Sequence, residues 1–342
     1  MDRNTYFREI IKTIFSMNSV SHIGVFTSGG DSPGMNACLR AVTRTAVFNQ
    51  VQITGIMRGF QGMIDNDFMS MNARSVSNII HRGGTILKSA RSEEFKNRNS
   101  REKAFRNLEA RGINGLVAIG GDGTFRGANI FSQEFGIPII GIPGTIDNDL
   151  NGNDFTLGFD TAVNTAMEAI DKIRDTAASH DRLFFIEVMG RDSGYIALWS
   201  GISGGAESIL LPEEKTDIDK LISQLRTGAQ NQKSSSIVIV CEGDDQGGAA
   251  EIAKKVTENF PDFDTRVTVL GHVQRGGSPT VFDRMLGSRL GVAAVEALLS
   301  GEKGKMVGIL NNKINFIDFA DATKQHAPMD QELLRYARIL AI

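Results

Sequence analysis

HIGVFTSGGD (residues 22–31) and GLVAIGGDGT (residues 115–124) are the stretches on which the fold turns. Each begins as a short, nearly unbroken apolar run and stops at glycines and an aspartate. A run that is apolar at successive positions, not alternate ones, is a strand covered on both faces, as in parallel sheets. Helical spacing follows the first loop: Cys38, Leu39, Val42, Ala46 and Val47 share one helix face. The same rhythm of strand, polar loop and helix extends outward, with strands expected over 51–57, 138–142, 183–188, 208–211, 237–241 and 267–270. Asp160 is placed to cap a long helix whose Ala162, Ala166, Ile170 and Ile173 share a face. A last long helix is expected over about 281–300, ended by Gly301. Such alternation predicts a doubly wound α/β fold with mainly parallel sheets.

The composition agrees. The chain has 342 residues, enough for two α/β domains, with 41% hydrophobic and 23% charged residues. Thirty-seven glycines against seven prolines point to tight turns and to backbone that approaches a ligand closely. A net charge of -3 argues against nucleic acid as a partner, so any positive charge for an anionic ligand must be local. Cys38 and Cys241 form neither a metal motif nor a disulfide framework and read as buried free thiols, which suits a reducing cytoplasm. No apolar stretch is long enough to span a membrane. The N-terminus does not read as a signal peptide, because Arg8 and Glu9 interrupt its apolar residues. Phe7, Ile10, Ile11, Ile14 and Phe15 suit a short packing helix, and Met17 is an alternative start.

Six polar loops, SGGD, GGDGT, PGTIDND, MGRDSG, CEGDD and GHVQRGG, follow apolar runs directly. In doubly wound sheets ligands bind beyond the carboxyl ends of strands, so these loops are the candidate site. SGGD leaves bare N–H groups at a helix start, an anion site, though standing alone it reads equally well as a tight turn. It lacks the lysine of a Walker loop, and it resembles the SGGxDS loop of ATP pyrophosphatases without the inserted residue. GGDGT sets the Asp122 carboxylate among glycines, suited to a Mg²⁺–polyphosphate pair; alone it would also serve NAD kinases and diacylglycerol kinases. Asp147 and Asp149 alternate, and an extended segment would point both the same way, one as general base and one holding metal or orienting its partner. Arg91, Arg182, Arg191, Arg266 and Arg275, with His272, sit beside glycines or at strand ends, where an acidic protein has most use for them on a phosphorylated ligand.

Taken together, TSGGDSPGMNA, GGTILKSAR, IGGDGT, PGTIDND, VMGR and GHVQRGGSP, in this order from about residue 22 to 310, closely resemble the bacterial ATP-dependent 6-phosphofructokinases. The resemblance implies two Rossmann-like three-layer α/β/α domains. Residues 1–157 with 274–324 would take ATP, and 158–273 with 325–342 would take fructose 6-phosphate. It implies transfer of the γ-phosphoryl of ATP to the 1-hydroxyl of the sugar. Gly29, Gly30, Arg91, Ser92, Gly121, Asp122, Gly123 and Thr124 would bind ATP, with Asp122 the Mg²⁺ ligand. Asp147 would be the general base, helped by Thr145 and Asp149, with Arg91 and Arg191 neutralising the γ-phosphate. Thr145, Ile146, Asp147, Met189, Gly190, Arg191, Glu242, His272, Val273, Gln274 and Arg275 would meet the sugar phosphate, and Arg182 and Arg266 would reach a neighbouring subunit's site, implying a homotetramer. Arg40, Arg44, Arg174, Glu207 and Lys233 match an effector site for ADP or phosphoenolpyruvate, where Ala73 and Asn231 replace expected basic residues.

Two positions bear on the donor. The similar pyrophosphate-dependent enzymes typically carry Asp where Gly123 stands and Lys where Gly144 stands, so glycine at both favours ATP. Asp192-Ser193 departs from the aromatic and cysteine of the familiar bacterial enzymes. A sugar-phosphate sensor without catalysis is the remaining alternative, and it would have no need of Asp122 and Asp147.

Overall fold

The computed structural model describes residues 20–179, 182–230, 236–261, 264–323 and 329–340. Two compact units divide the chain. The described residues within 20–144, 150–154 and 284–323 form the first, and those within 145–149, 155–283 and 329–340 the second.

In the first unit, β1 (His22–Thr27) leads into α1 (Met35–Phe48), and β2 (Gln52–Ile56) into α2 (Gly59–Asp65) and β3 (Phe68–Ser70). After α3 (Arg98–Glu109) come β4 (Gly115–Gly120), α4 (Asp122–Phe135) and β5 (Ile139–Pro143). These make a seven-stranded sheet with two later strands, β10 (Lys305–Leu310) and β11 (Lys313–Asp318), in the order β11-β10-β5-β4-β1-β2-β3. The five central strands are parallel, while β3 and β11 pair antiparallel at the edges. Every residue of β4 and β5 is buried, as their unbroken apolar runs require. A core of Phe26, Phe60, Phe125, Phe131 and Phe319 with neighbouring aliphatics fills one side of this sheet.

In the second unit the order is α5 (Phe159–Ala178), β6 (Arg182–Val188), α6 (Tyr195–Ser203), β7 (Ser208–Leu210), α7 (Ile218–Gln230), β8 (Ser236–Cys241), α8 (Ala249–Asn259) and β9 (Asp264–Val269). The four strands run parallel in the order β7-β8-β6-β9, with apolar clusters lying against them. The helix α9 (Val281–Leu299) leads from this unit back to the first, and α10 (Gln331–Leu340) packs through Leu334 into the second unit's core.

Three expectations need correction. β9 starts at Asp264, three residues before the apolar run at 267, because it is an edge strand whose outer side is exposed and need not be apolar. Asp160 does not cap α5. Gly158 holds the N-cap position, and Asp160 lies in the first turn, accepting from Thr280 Oγ1 (2.5 Å). The capping carboxylate comes from Asp283 instead, which accepts from Gly158 N–H (2.8 Å) and Thr161 N–H (2.9 Å). That contact explains why residues 274–283, expected with the first domain, group with the second unit. The proposed helix over residues 7–15 lies outside the described residues. Cys38 and Cys241 are buried free thiols, as expected, and burial pushes the Cys241 thiol up to about 12.

Candidate functional site

The chain leaves β1 toward β2 on one side and returns to β4 and β5 on the other, so the strand order reverses between β1 and β4. Open α/β sheets bind ligands at such a reversal, beyond the carboxyl ends of the strands. SGGD follows β1 and GGDGT closes β4, which sets both loops there. They hold each other: Ser28 N–H donates to Ile119 O (3.0 Å), and Thr124 Oγ1 donates to Ser28 O (3.3 Å). A Cβ on Gly120 would run into Ser28 O, so the glycine is required by this close approach. Gly29 takes a left-handed φ of 85°, and Gly30 beside it is exposed.

Asp122 is the first residue of α4 and is 8% exposed. Its Oδ2 pairs with Arg126 one turn along, while its Oδ1 is buried without a hydrogen-bond partner. No group of three or more His, Cys, Asp or Glu able to hold a metal occurs among the described residues. One orphaned carboxylate oxygen beside a phosphate-type loop fits Mg²⁺, which takes one or two carboxylates and completes its shell with phosphate oxygens and water.

Arg91 is exposed, and Ser92 Oγ donates to Gln61 Oε1 (2.7 Å) while accepting from Phe95 N–H (3.2 Å). The segment before them is held by Asn36, a residue with no expected role. Its buried amide donates to Arg82 O and Gly83 O (both 3.1 Å) and accepts from Ile86 N–H (2.8 Å). An amide between apolar residues in the helix's first turn was the available signal. Gly123 is exposed, and an added Cβ there meets nothing within 4 Å. At Gly144 a Cβ would lie 3.0 Å from both Ile119 Cγ2 and Met35 Cε.

In the second unit β6 has β8 on one side and β9 on the other, and the loops after these three strands carry Met189, Gly190, Arg191, Glu242, His272, Val273, Gln274 and Arg275. Arg191 has a φ of 53°, and its N–H donates to Glu242 Oε1 (3.2 Å). Gly190 is at φ 149°, where a Cβ would strike Ser193 O. Residues 271–275 form a 3₁₀ turn that exposes His272 and Val273 and buries Gln274 completely.

Thr145–Asp149 belongs to the same unit. It is not extended as expected: Asn148 is left-handed at φ 50°, its Oδ1 accepting from Thr156 N–H (2.7 Å). The two acids therefore differ in setting, Asp149 buried and Asp147 half-buried. Ile146 is in the core, so its side chain serves packing. Asp147 N–H donates to Thr145 Oγ1 (3.2 Å), and Asp147 O accepts from Ser193 Oγ (2.7 Å).

Arg182 and Arg266 are elsewhere. Arg182 opens β6 and donates to Asp264 Oδ2 (2.9 Å), and Arg266 pairs with the same carboxylate. Six residue steps lead from Arg182 to Val188 at the carboxyl end, roughly 20 Å of strand. Of the expected effector residues, Arg40 and Arg44 are on α1. Arg174 donates to Gly204 O and Gly205 O, and Glu207 Oε2 accepts from Ile237 N–H (2.6 Å). Lys233 lies outside the described residues.

Residues 22–298 match the family model described as phosphofructokinase. The chain belongs to the phosphofructokinase family. Curated phosphofructokinases similar to it include the ATP-dependent 6-phosphofructokinase of Cytophaga hutchinsonii, 54% identical over 318 residues, covering 93% of this chain and 97% of that protein. The ATP-dependent 6-phosphofructokinase 1 of Thermus thermophilus is also 54% identical, over 94% of this chain and all of its own length. Among solved structures, the phosphofructokinase of Saccharomyces cerevisiae superposes with a TM-score of 0.85 at 35% identity over 94% of this chain. The chain spans about half of that yeast chain, 48% of its length. A pyrophosphate-dependent phosphofructokinase from Marinobacter aquaeolei shares the fold, with a TM-score of 0.80 at 22% identity. No described helix is long and apolar enough to cross a membrane.

Proposed function

We propose that this family member transfers the γ-phosphoryl group of ATP to the 1-hydroxyl of fructose 6-phosphate, with Asp147 as general base. The observation that carries the choice of ATP over pyrophosphate is Gly123: it is exposed in the GGDGT loop and an added Cβ would enter open space, where an acidic side chain would crowd and repel a nucleotide.

The first unit takes the nucleotide. Backbone N–H groups of Gly29, Gly30 and Gly121–Gly123 donate to phosphate oxygens, Thr124 gives its own N–H to Gly121 O (2.9 Å) and shapes the loop, Arg91 and Ser92 take further contacts, and Asp122 would hold Mg²⁺ through the orphaned Oδ1. When bound, Mg²⁺ neutralises charge on the transferring phosphoryl group. The second unit takes the sugar phosphate through residues 189–191, Glu242, His272, Val273, Gln274 and Arg275, with Gln274 contributing backbone because its side chain is buried. Asp147 accepts the proton of the 1-hydroxyl as that oxygen bonds to phosphorus and the bond to ADP breaks. The loose transition state of phosphoryl transfer makes positioning and charge neutralisation by Arg91 and Arg191 the larger part of the work. Thr145 and Asp149 hold the loop around the base.

Arg182, roughly 20 Å of strand from Val188, and Arg266, in register with Phe184 and so roughly 13 Å from that end, would serve a second copy of the chain, as in a homotetramer. The edge strand β9, which carries Arg266, exposes Val267 and Val269, which suits an interface. For Arg40, Arg44, Arg174, Glu207 and Lys233 we keep only the role of contacts to an ADP or phosphoenolpyruvate effector, to be tested one substitution at a time. Two buried free thiols suit the cytoplasm. Initial rates with fructose 6-phosphate and Mg²⁺ test the reading: turnover with ATP and none with pyrophosphate is expected. Turnover with pyrophosphate alone would overturn the donor assignment, and turnover with neither would leave a sensor.

A further inference from the structure

We propose that Ser193 is a positioning residue for Asp147, linking the turn that meets the sugar phosphate to the loop that carries the base; this rests on the reading of Asp147 given above. The orientation of a carboxylate follows from the backbone that bears it, and both peptide groups of Asp147 are pinned. Its N–H is held by Thr145 Oγ1 within the same loop (3.2 Å). Its carbonyl is held by the Ser193 hydroxyl, 46 residues away, at 2.7 Å. Ser193 is 4% exposed, so water competes little for this bond.

The other end of the link is equally fixed. Ser193 N–H donates to Gly190 O (3.0 Å), closing a turn in which Gly190 and Arg191 both have positive φ. The carbonyl of Ser193 accepts from the Cys241 thiol (3.5 Å), and Arg191 N–H is tied to Glu242 (3.2 Å). Ser193 thus leaves a rigid turn, whose residues 189–191 contact the sugar phosphate, and reaches the base through one short side chain with one χ angle. Occupation of that turn steadies Ser193, and Ser193 steadies Asp147. Such an effect belongs in kcat rather than in binding, because the base acts on the proton only as the new bond forms.

The test is a double-mutant cycle on the whole enzyme, reading kcat and KM for fructose 6-phosphate. Ser193→Ala is expected to lower kcat about tenfold, the size of one lost hydrogen bond expressed at the barrier, with KM changed by less than about twofold. Ser193→Cys, which keeps a weaker donor of similar size, is expected to recover part of the loss. In an Asp147→Ala background Ser193→Ala should cost less than about twofold, because the group it positions is gone. An equal factor in both backgrounds, a loss confined to KM, or no gain from Ser193→Cys would overturn the proposal while leaving Asp147 as base. Near-normal turnover of Asp147→Ala itself would remove the base, and the positioning role with it.

Discussion

Gly123 and Gly144 are the two residues from which we argue the donor, yet they are unequal as experiments. A side chain at Gly123 enters open space, whereas one at Gly144 presses on Ile119 and Met35. Gly123→Asp should therefore leave the thermal melting point within about a degree and raise KM for ATP about 30-fold. That factor corresponds to roughly 2 kcal/mol of like-charge repulsion near a surface. Unchanged ATP kinetics would detach Gly123 from donor choice. Gly144→Lys is a poorer probe, since the core must shift before its charge is felt. Residue types alone suggested Asp122 as a metal ligand and one of Asp147 and Asp149 as a base, and the family resemblance singled out Asp147. They were silent on Asn36 and Ser193, whose value lies in hydrogen bonds to backbone 46 residues or more away along the chain.

At the scale of the element, the start of α5 shows what local signals miss. Asp160 has the chemistry of a cap, but the first N–H groups are taken by Asp283, more than 120 residues distant. Asp283 is fully buried and also accepts from Thr161 Oγ1 (2.5 Å). Burial pushes its carboxyl from the usual 3.8 up to about 6, with the bonds from Thr161 and Gly158 pulling back down. The folded state then holds this proton more tightly than the unfolded chain, so the group's contribution to stability falls as pH rises from about 4 to 6 and is level above. Asp283→Asn cannot titrate and turns an N–H₂ toward donors, a cost of about 2 kcal/mol at neutral pH. Urea melts at pH 5 and pH 7 should show the variant's deficit larger at pH 5. An equal deficit at both would mean that Asp283 does not titrate in this range. The bend at Asn148 is a similar case: alternation suggested two acids facing one way, and the Thr156 contact turned the backbone instead.

The parallel sheets dominate at the scale of the molecule. Each places its Gly-rich loops beyond the carboxyl ends of its strands, and the first reverses its order between β1 and β4, where SGGD and GGDGT meet. The same geometry removes Arg182 and Arg266 from the residues they accompany in sequence, because a strand is too long for one chain to bring both ends to one ligand. If they serve a second copy, two crippled chains should mend each other. Asp147→Ala and Arg266→Ala homomers are each expected to be nearly inactive with fructose 6-phosphate, and hybrids refolded from a mixture should regain about a quarter of the normal sites if subunits pair at random. No activity beyond the sum of the parents would place Arg266 outside any shared site.

By itself the sequence determined the α/β class, the strands carrying unbroken apolar runs, the Gly-rich loops at their ends and the family. These follow from local periodicity and from residue types whose chemistry travels with them. Tertiary structure alone decided which carboxylate caps α5, that β9 begins at polar residues on an exposed edge, that the acids of TIDND part company, and that Ser193 holds the backbone of Asp147. Each of those rests on partners brought together by folding from distant parts of the chain, where spacing along the sequence carries no information about distance in space.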